Sequence, residues 1–372
     1  ASFFNKEAIY YPAKDAIFYS ADVHGNQITG ERLRCISRII NHSSTGEGVL
    51  TVVTTMDGIA DRLIPVERFK EAVITLDYSS EIEPEKLAKK LVAMGFVRTG
   101  MVEDKGQFAI RGGIIDIFSY TDEAPVRIEL WDTEVDSIRM FDVESQRSIE
   151  RLQSYSIFPA TEYIFTEDEL KNGLYNIKEE CDRQLECFDY GKRKRTKEQI
   201  EAGNNLNKLV ADVERTGNYE KFTDTLVADT VGLAEYFPEE NTLVVLDEPN
   251  RLKECNELTL YEYNESMKNR LAAGYVLPSQ TNKVKAMNEI IGDLRNNKKL
   301  ILTTLDYKPE GFEIDYSMYI TARSISSYNN SFEYLAKDLE KYKKNGYTTI
   351  LVCSSRTRAL RIVDDLGKLG IA

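Results

Sequence analysis

The stretch VRIELWDTEVDSIRMF, residues 126–141, reads as two strands joined by a turn. Val126–Trp131 and Val135–Phe141 are rich in branched and aromatic residues, and the polar Asp132-Thr133-Glu134 between them is short enough for a hairpin. Side chains along a strand alternate between faces. Val126, Ile128 and Leu130 therefore share one face, and Arg127, Glu129 and Trp131 share the other. The apolar set must turn toward a core. Trp131, the only tryptophan of the chain, then lies with Arg127 on the opposite side. Trp and Arg are the residues most enriched among interface hot spots, which makes this face a candidate docking surface. A second covering layer that turns Trp131 into core is the alternative, and alternation alone leaves both open.

Working outward, GQFAIRGGIIDIF at residues 106–118 supplies two more strands, Gln107–Ile110 and Gly113–Phe118. The glycines between them suggest a bulge or a close backbone approach. A bulge would aim Arg111 onto the face of Arg127 or into a local pair with Asp116 or Glu129. A helix comes before these strands. Pro84 suits its first turn, Leu87, Leu91 and Met94 repeat at helical spacing, and Gly95 stands where a glycine stop belongs. A helix followed by consecutive antiparallel strands is an α+β pattern, and it occupies residues 79–163.

The flanks differ in character. Gly30–Ile40 is amphipathic, with Leu33, Ile36, Ile39 and Ile40 on one side, and GVLTVVT at residues 48–54 reads as a buried strand. A helix feeding a buried strand points to a parallel α/β sheet in residues 1–78. Residues 164–313 are mainly helical and charged, with a helix at Asn204–Val213. They also contain two apolar strand signals, Thr242–Asp247 and Lys299–Thr303. In residues 314–372, a helix at Ser331–Lys344 turns Phe332, Leu335 and Leu339 inward. A strand at Thr349–Cys353 and a helix at Arg356–Leu369 follow. One such βα unit at the end of the chain suggests the start of a truncated small α/β domain.

Bulk properties narrow the function classes. A chain of 372 residues with 42% hydrophobic content supports several cored domains. No run of ~20 apolar residues is long enough to cross a membrane. The net charge of -13 disfavours free nucleic acid as a partner of the average surface. The basic run Gly191–Arg195 reads as solvated surface rather than a DNA contact. Cys35, Cys181, Cys187, Cys255 and Cys353 are scattered without CxxC spacing, so neither a disulfide framework nor a metal site is expected and a reducing cytoplasm fits.

Catalytic constellations are sparse. The phosphate cradle GxxxxGK[ST] is absent, although such a loop could have stood before the first residue. Val244–Glu248 resembles the strand that ends in a magnesium-holding acid in ATPases. Without a phosphate loop, Asp247 and Glu248 read as a relic or as plain surface. His24 and His42 lie in polar contexts, and no GxSxG elbow surrounds a serine. No catalytic residue and no cofactor is expected.

GQFAIRGGIIDIF at 106–118, VRIELWD at 126–132, VDSIR at 135–139 and FDVESQRS at 141–148 closely resemble the signature shared by UvrB and the transcription-repair coupling factors. The Phe-Asp-x-x-x-Gln-Arg-Ser ending looks like the coupling factors. UvrB carries a tyrosine-rich DNA-clamping hairpin where this chain has only the short link Thr54–Pro65. The resemblance implies a degenerate RecA/helicase-like parallel-sheet domain in two pieces, residues 1–78 and 164–313. An inserted UvrA-binding domain at 79–163 splits it, and a small α/β domain follows. It carries UvrA contacts onto Arg111 and Arg127 and an exposed aromatic onto Trp131, where the family commonly has Phe. It also implies that Asp247 and Glu248 are degenerate. The motor and the contacts to RNA polymerase and DNA would lie in parts of the full-length protein outside this chain. Two rival readings remain. One is a UvrB-like nucleotide- or DNA-binding helicase fragment, and the other is an architectural spacer that holds a motor inactive.

Overall fold

The structure, a computed structural model, describes residues 8–14, 25–46, 48–188, 195–321, 327–328 and 331–371. It is a mixed α/β molecule with several sheets and divides into the units Ala1–Phe312 and Glu313–Ala372. The larger unit opens with strand β1 (Ala8–Tyr11), helix α1 (Gly25–Thr45) and strand β2 (Thr51–Thr54). β1 and β2 pair in parallel, from Ala8 opposite Thr51 to Tyr11 opposite Thr54. The sequence pattern predicts the helix and the second strand but not β1, which is too short to carry a periodic signal. Leu33, Ile36, Ile39 and Ile40 of α1 are all buried, as their spacing predicts. Helices α2 (Met56–Ile59) and α3 (Val66–Ala72) lead to strand β3 (Ile74–Asp77).

The chain then enters a sheet domain made of α4 (Pro84–Ala93), β4 (Val97–Arg98), β5 (Gln107–Arg111), β6 (Ile114–Phe118), β7 (Val126–Trp131), β8 (Glu134–Phe141) and β9 (Ser148–Arg151). It leaves through β10 (Ser154–Ile157). Strands β4 to β9 form one six-stranded sheet in chain order, antiparallel except where β4 meets β5. Entry strand β3 and exit strand β10 pair with each other, Ile74 opposite Ile157. Pro84 opens α4, where its missing N–H costs nothing. Leu87, Ala88 and Leu91 of that helix pack on Phe108, Ile115, Ile117, Val126, Ile128 and Ile138, in a core drawn entirely from residues 74–160.

The Gly112-Gly113 pair is a hairpin turn rather than a bulge, and the alternative reading, a close backbone approach, holds. Ile110 faces Ile115 and Arg111 faces Ile114 across it. Gly112 holds φ at 62°, and a Cβ on Gly113 would lie 2.9 Å from the Leu130 carbonyl oxygen, so the turn needs glycine on both counts. The bulges of this sheet lie at Glu129/Leu130 and Met140/Phe141. At the first of these Asp136 is the extra residue on β8, which leaves the alternation of β7 intact.

After the sheet domain come α5 (Glu167–Phe188), α6 (Lys197–Thr216), α7 (Thr223–Leu226), β11 (Leu243–Asp247), α8 (Pro249–Ala272), α9 (Met287–Asp293) and β12 (Lys298–Leu302). Thr196 and Gln199 form a reciprocal capping box at the start of α6. β11 and β12 pair in parallel. The sequence points to one parallel sheet, yet among the described residues β1–β2 and β11–β12 are separate two-stranded sheets. Each pair packs one side against a core of its own, and neither is the buried strand pair expected, since Val53, Leu243, Val245, Leu300 and Leu302 are exposed. β1–β2 packs with α1, α5 and α6, and β11–β12 packs with α2, α8 and α9. Met56 and Ala60 nonetheless join Leu246 and Tyr263 in that second core, so the segments before and after the sheet domain are folded together.

Two features hold the sheet domain to this body. The buried Arg32 on α1 pairs with Glu162 at 2.9 Å and Asp61 at 2.8 Å, while Lys14 reaches Glu162 at 3.0 Å. The Tyr120 ring lies against both cores. A Cβ added to Gly30 would come within 2.7 Å of that ring, and one added to Gly106 within 3.0 Å.

The smaller unit contains α10 (Phe332–Lys344) and α11 (Arg356–Lys368), capped by Ser331 and Ser355. The strand expected at 349–353 does not form, and Ile350 and Val352 are 80% and 74% exposed. A strand needs a ladder partner, and among the described residues none pairs with this segment. The basic run at 191–195 falls, apart from Arg195, outside the described residues, as does His24. Among the described residues no helix is long and apolar enough to cross a membrane.

Candidate docking face

Each strand of the six-stranded sheet turns one set of side chains toward α4 and the other set away. Pairing lines up the outward set in rows. Ala109, Asp116, Arg127, Arg139 and Arg151 stand side by side from β5 to β9. Arg111, Ile114, Glu129 and Ser137 form the next row. Trp131 follows Glu129 on this face of β7 and sits opposite Glu134.

Asp116 is the centre of the arrangement. It is the single acid in the apolar strand β6 and is 1% exposed. A buried carboxylate is tolerated only when paired and hydrogen-bonded. Arg127 donates from Nε to Oδ1 at 2.6 Å and from Nη2 to Oδ2 at 2.9 Å, a bidentate fork. Arg111 donates from Nη2 to Oδ2 at 2.6 Å. Arg127 Nη2 also donates to Gln146 Oε1 at 2.8 Å. Gln146 sits in a left-handed turn at φ 57°, and its own Nε2 donates to the Val143 carbonyl at 2.7 Å. The Arg127 guanidinium lies 4.2 Å from the centroid of the Phe141 ring, within cation–π range. Hydrogen bonding to Asp116 outweighs burial and pushes the Arg127 pKa above its ordinary value. Next to this cluster, Glu129 accepts from Ser137 Oγ at 2.8 Å and pairs with Arg139.

One end of the face is roofed by a small apolar cluster of Val102, Ala109, Phe118 and Val143. The other end is open. Trp131 is 79% exposed, and the Arg111 side chain is 42% exposed against 12% for Arg127. The three residues singled out in the sequence thus lie on one face, but not as one uniform solvent-facing patch. Arg111 and Trp131 reach solvent. Arg127 is drawn inward because buried Asp116 must be neutralised. In the sequence Asp116 stands only as a local partner for Arg111, although a lone acid in an apolar strand is itself a signal. Gln146 and Phe141 carry no local signal for their contacts with Arg127, since the turn and the second bulge bring them there.

Asp247 and Glu248 lie elsewhere, at the C-terminal end of β11. Glu248 holds a left-handed conformation at φ 52° ahead of α8. It accepts from the Thr304 backbone N–H at 2.6 Å and from the Thr304 hydroxyl. Those bonds lower its pKa. Its carboxylate therefore ties together the segments that follow the C-terminal ends of the two parallel strands. Among the described residues no group of His, Cys, Asp and Glu is arranged to hold a metal ion.

Residues 74–163, which hold the whole face, match the family of the UvrB interaction domain. The transcription-repair-coupling factor of Bacillus subtilis (strain 168) is 30% identical over 368 residues, covering 96% of this chain and 30% of that protein. Those of Staphylococcus haemolyticus (strain JCSC1435) and Staphylococcus aureus (strain USA300) are 26% and 27% identical over 99% of the chain, and the chain spans 30% and 31% of their lengths. Residues 74–163 thus match the UvrB interaction domain, and the chain is similar, over nearly its whole length, to just under a third of the transcription-repair-coupling factors.

Proposed function

We propose that this chain is a protein-docking region of a transcription-repair coupling factor, and that the open end of the six-stranded sheet binds UvrA. The observation that carries the reading is the exposure of Trp131 on the same face as the half-exposed Arg111, within the stretch that matches the UvrB interaction domain. A large aromatic at 79% exposure gains nothing for the isolated fold. It is the kind of anchor that interfaces bury. In this reading the chain has no catalytic activity of its own. The parallel pairs β1–β2 and β11–β12 belong to a degenerate motor-like domain that keeps Asp247 and Glu248 only as structural residues. Residues 314–372 belong to a separate small unit built on α10 and α11. The full-length protein, a cytoplasmic ATP-dependent DNA translocase, engages stalled RNA polymerase and DNA through other parts and recruits UvrA through this face.

Titration calorimetry of the chain with UvrA tests this. The expected result is saturable binding that weakens at least ~10-fold with Trp131→Ala or Arg111→Ala, about the loss of one hot spot. Binding that survives both substitutions would overturn the assignment of the face.

A further inference from the structure

The docking face contains a buried carboxylate that touches neither solvent nor, on the reading above, any partner. We propose that Asp116 is the positioning residue of this face. By engaging two guanidinium groups with one carboxylate it anchors Arg111 at a single nitrogen and leaves the rest of its fork free for a partner carboxylate, on the face that also carries exposed Trp131. This proposal rests on the docking reading for its partner, but its geometry is intramolecular.

The charge arithmetic follows from the contacts. Arg111 and Arg127 are two cations, and both bind Asp116, one anion. Arg139 and Glu129 cancel each other, while exposed Arg151 and Glu134 stand at the far edge of the face, Glu134 opposite Trp131. The positive charge left around Asp116 is not shared equally. Arg127 is held on three sides by Asp116, Gln146 and Phe141. Arg111 gives Asp116 only Nη2 and keeps a side chain 42% exposed, so its other donors are the ones a partner can reach. A guanidinium anchored at one nitrogen loses less rotamer freedom when a carboxylate docks on the rest of its fork. Trp131 lies across β6 and β7 from Arg111 on the same face. Strand spacing puts their backbones roughly 12 Å apart. A partner must therefore present an acid and a hydrophobic recess at about that separation.

Two measurements on the free chain test the positioning. In the wild-type protein, nitrogen NMR of the arginine side chains should resolve distinct, slowly averaging Nη signals for Arg111 as well as Arg127. Freely averaging Arg111 signals would overturn the proposal without any variant. The single tryptophan is the second reporter. Asp116→Asn removes one negative charge roughly 14 Å from Trp131 by strand spacing. Iodide quenching of Trp131 should then rise about 1.4-fold at ~0.01 M ionic strength, with acrylamide quenching unchanged and Asp116→Glu at the wild-type value. Equal iodide quenching in a folded Asp116→Asn chain would refute the charge assignment.

Binding kinetics with UvrA complete the test. Asp116→Asn should speed association and steepen its salt dependence, because net positive charge rises, while dissociation quickens roughly tenfold through the loosened Arg111. A residue that merely supports the fold would lower the active fraction and leave both rates and the salt slope of the active molecules alone. In an Arg111→Gln background, Asp116→Asn should add nothing to the off-rate, and full additivity would sink the proposal. If the wild-type chain does not bind UvrA, the docking reading fails, while the NMR and quenching results still decide the role of Asp116.

Discussion

Arg127→Ala is predicted to damage the sheet itself before it damages docking. The substitution removes both of the fork's bonds to buried Asp116, the bond to Gln146 and the contact with Phe141. Taking away one partner of a buried pair costs about 3–5 kcal/mol, because a desolvated charge is left behind. Two facts pull the figure toward the lower end. Arg111 keeps its 2.6 Å bond to Oδ2, and the 12% exposure of the Arg127 side chain means water can partly replace it. Loss of the cation–π contact adds about 0.5–1 kcal/mol. The expected destabilisation is therefore about 3 kcal/mol. With a urea slope of about 1.5–2 kcal/mol/M for a small domain, the midpoint falls by about 1.5–2 M. Urea-dependent amide exchange reads this locally, through peptides from residues 107–141, with peptides of α8 as the internal reference. Arg127→Lys, which keeps the charge but not the fork, should fall between wild type and alanine. Unchanged protection of the sheet in Arg127→Ala would refute the account of Asp116 as a buried charge held mainly by Arg127. Lost UvrA binding by Arg127→Ala would say little alone, which makes Arg111 and Trp131 the cleaner probes.

Other outcomes can be checked independently. Trp131→Ala should leave the melting temperature within about a degree, as expected for a surface change of less than ~0.5 kcal/mol, while weakening UvrA binding by about 2 kcal/mol. Burial alone would push the Glu162 carboxyl up, but Arg32 and Lys14 outweigh it and hold it below its ordinary 4.5. A depressed folded pKa gives stability that is present above the unfolded value and lost as pH falls through the folded one. Glu162→Gln should thus be less stable than wild type at pH 7 and should flatten the acid limb of an unfolding curve below about pH 4.5. Asp61 acts with the opposite sign, because burial raises its carboxyl despite Arg32, so the Glu162 variant is the one to compare. Gly30→Val should force the Tyr120 ring aside, since a Cβ there meets it at 2.7 Å. About 1–3 kcal/mol is expected for such overpacking, seen as faster exchange at the junction of the two cores. Ile350→Ser should change thermal stability by less than ~0.5 kcal/mol, because the residue is 80% exposed and unpaired.

The sheet domain is the part most legible in the sequence. Strand β7 alternates cleanly, the turns are marked by Gly112-Gly113 and Asp132-Thr133, and Pro84 and Gly95 bracket the helix. Local chemistry fixes all of these. Legibility fails where a property depends on distant chain. At residues 349–353 the apolar Ile350, Leu351 and Val352 look like a buried strand, yet burial depends on a neighbour that the sequence does not place. The two parallel pairs show the same limit, since their short apolar runs reveal strands but not which strands share a sheet. At the face, alternation places Arg127 and Trp131 on one side, but it cannot tell which of them reaches solvent. That depends on Asp116 one strand away and on Gln146 in a left-handed turn.

The pairing of β3 with β10 has a mechanical consequence. The chain enters and leaves the sheet domain at adjacent points, Ile74 beside Ile157. Tension along the polypeptide, of the kind a moving motor would generate, passes from one strand to the other across this short antiparallel pair. The six strands that present Arg111 and Trp131 hang to one side of that line of force. Load along the chain itself must unzip this pair before it reaches those strands, which leaves the side contacts of Tyr120 as the other route from the body to the sheet.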